Sequence, residues 1–189
     1  MKERRMFEED ITATPGGRNV SGYAVVFNSE SKDLGGFKEI ISPSALDGVI
    51  ANSDVLCLLN HNEDKGVLAR SNKGTGSLTL EIDDKGLRYS FEAPNTTLGD
   101  ELLEGLRRGD ITASSFAFKV GNDRWDKRSD GSYIRTILSI DRMFDVSPVY
   151  VPAYDSTSVE VDKRGLDKIK ADEKKELEEY YNQLKEGLK

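Results

Sequence analysis

The stretch ITASSFAFKVGNDRWDKRSDGSYIRTILSIDRMFDVSPVYVPAY, residues 111–154, decides the fold class. ITASSFAFKV alternates at the two-residue period of a strand, with Phe116, Phe118 and Val120 on one face. GNDRWDKRSDGS, rich in Gly, Asp and Ser, reads as a loop, and SYIRTILSIDRM and FDVSPVYVPAY read as further strands.

Working outward, TTLGDELLEGLRRGD carries Leu98, Leu102, Leu103 and Leu106 at helical spacing, with Thr or Asn to cap its start and Gly109 to stop it. Before it, GSLTLEIDDKGLRYSFEAP is a hairpin in which Leu78, Leu80 and Ile82 alternate ahead of an Asp-Asp-Lys-Gly turn. DVLCLLNH is a short apolar run that suits a buried strand ending near His61, and FKEIISPSALDGVIANSD gives a strand followed by a turn or two of helix. VSGYAVVFN is a further strand. About seven strands with one or two inserted helices favour an α+β fold that is mainly β, a closed or strongly curved barrel rather than a parallel doubly wound sheet. Downstream, GLDKIKADEKKELEEYYNQLKEGLK places Leu166, Ile169, Leu177, Tyr181, Leu184 and Leu188 on one narrow stripe of a helix. The chain thus divides into an N-terminal arm (1–17), a single domain (18–160) and a charged amphipathic helix (161–189).

Composition narrows the function. Of 189 residues, 37% are hydrophobic and 32% charged, with a net charge of −7. Residues 1–159 hold 25 acids against 19 bases, and an acidic body argues against nucleic acid as the main partner. No apolar run is long enough for a membrane helix, and MKERRMFEED lacks the apolar core of a signal peptide, so the expected compartment is the cytoplasm. One cysteine, Cys57, and one histidine, His61, allow neither an internal disulfide nor a Cys/His zinc cluster. No carboxylate spacing resembles a calcium loop, so no metal and no cofactor is expected.

Three residues are candidates for chemistry. His61 stands at the end of an apolar strand, where an imidazole half-shielded by a core edge is placed to exchange a proton near neutral pH. A lone histidine is also a common structural residue. If the aromatic face of ITASSFAFKV enters the core, Ser114 falls on the Phe side and Ser115 projects toward a cleft or solvent, available as a nucleophile or as a simple surface serine. Asp145 sits amid Met143, Phe144, Val146 and Val149, in a phase that need not bury it, yet shielding it without a partner is costly. An imidazole is such a partner, and serine hydrolysis uses these three roles together.

Six blocks in order, GYAVVFNSES, GGFKEIISPSAL, DVLCLLNHNEDKGVLAR, GSLTLEIDDKGLRYSFEAP, GDITASSFAF and DVSPVYVPAYDSTSV, resemble the prohead serine proteases of tailed phages, over about residues 18 to 160. The family is related in fold to the herpesvirus assemblins. The resemblance implies a β-barrel flanked by helices and a protease that cuts scaffold segments of the major capsid protein, and often itself, inside an immature shell in the host cytoplasm. It matches His61 to the histidine of an Asn-His-(Asn/Asp) block and Ser115 to the serine before a Phe-x-Phe pair. Asp145 matches the acid before Val-Ser, where glutamate is more usual. The herpesvirus enzymes use a second histidine there, which this chain lacks. Ala117 stands where glycine is common. For the oxyanion, backbone amides near Ser115 or a water held by Arg70 are the candidates.

Two other readings use the same residues. A non-catalytic assembly protein would bind capsid or scaffold through the C-terminal helix with the three residues misaligned. A cysteine hydrolase would use Cys57, although that residue lies in the apolar run, where a thiolate is disfavoured. The C-terminal helix is expected either to pack back on its own domain as a solvated helix or to dock a partner or a second copy of the chain.

Overall fold

The computed structural model describes residues 1–7, 11–150 and 156–187. The strands in the first half of the chain are β1 (Glu3–Phe7), β2 (Thr12–Ala13), β3 (Asn19–Val26), β4 (Phe37–Ile41), β5 (Asp54–Cys57), β6 (Ala69–Asn72), β7 (Thr75–Gly76), β8 (Leu78–Ile82) and β9 (Gly86–Glu92). Two long strands follow, β10 (Ala113–Lys127) and β11 (Tyr133–Val149). The helices are a single turn α1 (Val49–Asn52), then α2 (Thr97–Arg108) and α3 (Ser156–Gly187).

The β10–β11 hairpin organises the larger sheet, whose seven strands run β1-β10-β11-β5-β6-β7 with β4 also on β11. One side of β11 takes β10 along its length; the other takes β4 in parallel at Tyr133–Ile137 and β5 in parallel at Asp145 and Val146. The N-terminal arm enters this sheet as the edge strand β1, antiparallel to β10. A second sheet runs β2-β3-β9-β8. Its β3 lies against β1 and β10, and its β8 against β6 and β7.

The α+β class stands, with eleven strands in two sheets among the described residues where the sequence reading counted about seven in all. Neither ladder closes into a ring among the described residues. The edge strands β2 and β7 have two residues each, too short to carry the hydrogen bonds from one sheet to the other, so the sheets enclose the core by packing. One expectation is overturned: GNDRWDKRSDGS is not a loop. β10 continues through it to Lys127 over a register irregularity around Gly121, and only Arg128–Ser132 turns, with Arg128 N donating to Ser132 O at 2.8 Å. The polar composition reflects an exposed face, not absent pairing. YIRTILSIDRM and FDVSPV form one strand, β11, and not two, while residues 151–154 of the expected FDVSPVYVPAY strand lie outside the described residues.

The core between the sheets holds Val20, Val25, Tyr89, Leu102, Phe116, Phe118, Ile137 and Val146. α2 contributes Leu102; the Thr96 hydroxyl accepts from Gly99 N at its start, and Gly109 closes it at φ 76°. A smaller cluster of Leu34, Phe37 and Tyr133, with Trp125 at its margin, receives Leu166 and Ile169 of α3. Glu173 secures the helix there by accepting from Lys127 at 2.6 Å and Tyr133 Oη at 2.8 Å. Beyond that point Leu177, Tyr180, Tyr181 and Leu184 are exposed.

Candidate active site

β10 separates its two serines as its alternation requires. Ser114 faces inward, fully buried, sharing a 2.7 Å hydrogen bond with Tyr89 Oη. Phe116 and Phe118 share that inner face, stacked at 4.7 Å between centroids. Ser115 lies on the other face.

His61 reaches the same place from β5. After Cys57 the chain keeps running beside β11, with Leu58 N donating to Val146 O at 3.2 Å and Asn60 N to Pro148 O at 2.9 Å. Asn60 and His61 then both adopt left-handed backbone, at φ 55° and 54°. Asn and His are among the non-glycine residues that adopt this conformation most readily, which suits the pair to a tight turn. Asn62 closes it by accepting from Asp64 N.

The turn sets the imidazole between two side chains. Nε2 is 2.5 Å from Ser115 Oγ, and Nδ1 is 2.5 Å from Asp145 Oδ1. The three candidate residues, from three strand regions of the chain, are therefore in line. Asp145 is 1% exposed, which corrects the sequence reading that its phase need not bury it: the His61 imidazole and the Lys2 side chain lie against what would otherwise be an outer face. Burial pushes its carboxyl toward higher pKa, but the hydrogen bond and charge of His61, the Ser147 hydroxyl and the Lys2 ammonium together outweigh this and hold it below the ordinary value.

Two site residues escaped the sequence reading. Ser147, fully buried, donates to Asp145 Oδ1 at 2.9 Å. The two-residue alternation that gave Ser115 its face would have placed Ser147 beside Asp145. Lys2 Nζ lies 3.3 Å from Asp145 Oδ2 as an ion pair, outside hydrogen-bonding geometry, and Oδ2 has no other partner among the described residues. Nothing periodic in MKERRMF announces that contact.

Arg70 is committed elsewhere: its guanidinium grips Asp54 at 2.8 and 2.5 Å on the exposed side of β6. Burial first, and then the Asp145 charge, push the Cys57 thiol well up, which removes the thiolate that a cysteine hydrolase needs. A shallow groove on the smaller sheet, lined by Thr12, Ser21, Thr79 and Arg88 among others, contains none of the three residues. Among the described residues no cluster of His, Cys, Asp or Glu could hold a metal ion, and no helix is long and apolar enough to cross a membrane.

A hydroxyl, an imidazole and a buried carboxylate in this order are what a serine hydrolase requires. The family model of caudovirus prohead serine proteases matches residues 6–172, and the chain belongs to that family. It is a serine protease. The match extends the blocks read from the sequence at both ends, taking in the end of β1 and the first half of α3. Among solved structures, the bacteriophage T4 capsid assembly protease gp21 is similar at 13% identity and a TM-score of 0.41, covering 80% of this chain and 99% of that one. No curated protein matches the sequence closely enough to serve as a relative.

Proposed function

We propose that this protease matures a phage prohead by cleaving the scaffold segment of the major capsid protein, and itself, with Ser115 as nucleophile, His61 as base and Asp145 as the acid that orients it. The observation that carries the reading is the 2.5 Å approach of His61 Nε2 to Ser115 Oγ together with the 2.5 Å approach of Nδ1 to Asp145 Oδ1. Ser115 Oγ attacks the peptide carbonyl as His61 Nε2 takes its proton, and the imidazolium is stabilised by Asp145. The same proton passes to the leaving amine, which departs and leaves an acyl-enzyme ester. Water, deprotonated by His61, then attacks the ester, and its proton returns to Ser115 as the acid product leaves. Ser147 holds the carboxylate in place.

The capsid protein is the partner this reading calls for, in the assembling shell within the host cytoplasm. The apolar stripe of α3 beyond the body, Leu177 to Leu184, supports a role for that helix in recruitment or self-association. Truncation at Arg164 is expected to abolish recruitment or dimerisation; unchanged values of both would remove the helix from the proposal.

Co-expression with the capsid protein of the same phage tests the core of the reading. Truncated capsid protein with the wild type and intact protein with Ser115→Ala, seen by mass spectrometry, is the expected result. Intact capsid protein in both, inside shells that contain this chain, would make it a binding protein on the same fold.

A further inference from the structure

The mechanism above needs access to Ser115, and this structure does not give it. Ser115 is 5% exposed. The edge of β10 beside it is occupied by β1, whose ladder sets Met6 opposite Ser115, Arg5 opposite Phe116 and Arg4 opposite Ala117. Main-chain groups that β10 turns toward this edge over residues 114–118 are thereby committed to β1.

The contact goes further than coverage. Ser115 Oγ donates to the Arg5 carbonyl oxygen at 2.9 Å while lying 2.5 Å from His61 Nε2. A serine hydroxyl has one proton to give. Given to Arg5 O, that proton points away from His61 Nε2, the atom that has to take it for Oγ to attack. An attacked carbonyl carbon must also come within about 3–3.5 Å of Oγ, and a main-chain carbonyl already fills that space.

We propose that the edge of β10 beside Ser115 seats the substrate as an extended strand, and that β1 fills this seat as an intramolecular competitor which holds the protease inactive. The proposal rests on Ser115 being the nucleophile. Extended peptides add to exposed sheet edges through main-chain hydrogen bonds, which demand little of the side chains, so a chain's own strand and a substrate strand can compete for one edge.

The anchoring of β1 suits a removable element. Its inward side chains, Glu3 and Arg5, are held by charge: Arg5 bonds Glu39 at 2.7 and 2.9 Å and Glu3 at 2.8 Å, and Arg135 bonds Glu3 at 2.8 Å. Buried ion pairs of this kind contribute little net stability against water, because both partners regain hydration on release. When β1 leaves, Glu39 and Arg135 keep each other at 3.2 Å and Arg135 keeps Asp123 at 2.5 Å, so the body retains its own pairing. Lys2 leaves with β1, and its contact with Asp145 Oδ2 is lost.

A reversible lock tests this. Arg4→Cys combined with Ala117→Cys places two thiols at facing register positions, so that oxidation staples β1 to β10 and reduction frees it. The readout is the rate at which a fluorophosphonate modifies Ser115, followed by mass spectrometry. That rate scales with the fraction of molecules whose edge is open, so the oxidised protein is expected to react at least about tenfold more slowly than the same protein reduced. Equal rates in the two states would overturn the competitor and leave the nucleophile intact. Glu3→Gln weakens the anchor without touching the site; faster labelling than wild type supports the proposal, and labelling no faster makes β1 merely a wall of the fold. If Ser115 stays unmodified in the reduced form and in Glu3→Gln alike, the nucleophile assignment fails and the competitor with it.

Discussion

The two ends of the β10–β11 hairpin are built from the same pair of strands and have opposite characters. At the Ser115 end, residues 113–118 and 145–149 are buried on both faces, flanked by β1 on one side and β5 on the other. At the turn end, residues 121–127 carry Asp, Arg, Trp and Lys with one face in solvent, and the register shifts of the ladder fall between the two ends, from Ala117 to Asp123. The difference teaches where the polar residues of a strand become chemistry. Toward the exposed end polar side chains pair within reach of solvent, as Lys119 and Asp141 do at 2.8 Å. In the covered end each must find a protein partner, and Ser115, His61, Asp145 and Ser147 find one another.

Substitutions sharpen that contrast, beginning with the largest effect. Ser115→Ala is expected to lower kcat by about 10⁶-fold. Asp145→Asn is expected to lower kcat by about 10⁴-fold, because an amide facing Nδ1 favours the wrong tautomer. Both are read as cleavage rates of the capsid protein, and a residual rate near wild type for either would detach that residue from the mechanism. On the inner face of the same covered end, Phe118→Ala is expected to cost about 3–5 kcal/mol in urea unfolding, as the stacked pair with Phe116 is lost.

Acid offers a smaller, graded test. The folded-state pKa of Asp145 is lowered, so its ionised form adds stability that is present above the unfolded carboxyl value, about 3.9, and is lost as pH falls through the folded value. Wild-type melting temperature is therefore expected to drop more steeply below pH 4 than that of Asp145→Asn; parallel curves would mean that the carboxylate gains nothing from its neighbours. At the exposed end, Lys119→Ala is expected to leave melting temperature and cleavage unchanged within error, since solvent screens the pair it breaks. A measurable loss there would erase the contrast between the two ends.

How much of this was legible in the sequence follows the same division. Alternation in ITASSFAF was enough to separate Ser114 from Ser115, because one face is aromatic and the other small. The same rule mistook GNDRWDK for a loop, because an exposed face paired to a neighbour looks polar throughout. The expected barrel rested on counting strands, and a count carries no information on whether two-residue edges such as β2 and β7 can join. Burial of Asp145 depends on Lys2 and on the left-handed turn at Asn60 and His61, contacts between segments far apart in sequence that no local pattern encodes.

That turn has a consequence for the order in which the protein is made. His61 is placed by hydrogen bonds from Leu58 and Asn60 to the carbonyls of Val146 and Pro148, which are synthesised long after it. A nascent chain holding only the first hundred residues has the histidine but no rail to align it, and neither Ser115 nor Asp145. Such late pairing is slow to form and is settled only when both strands are present. A ribosome carrying this message therefore displays no working protease until β11 has emerged, and growing chains on neighbouring ribosomes are spared.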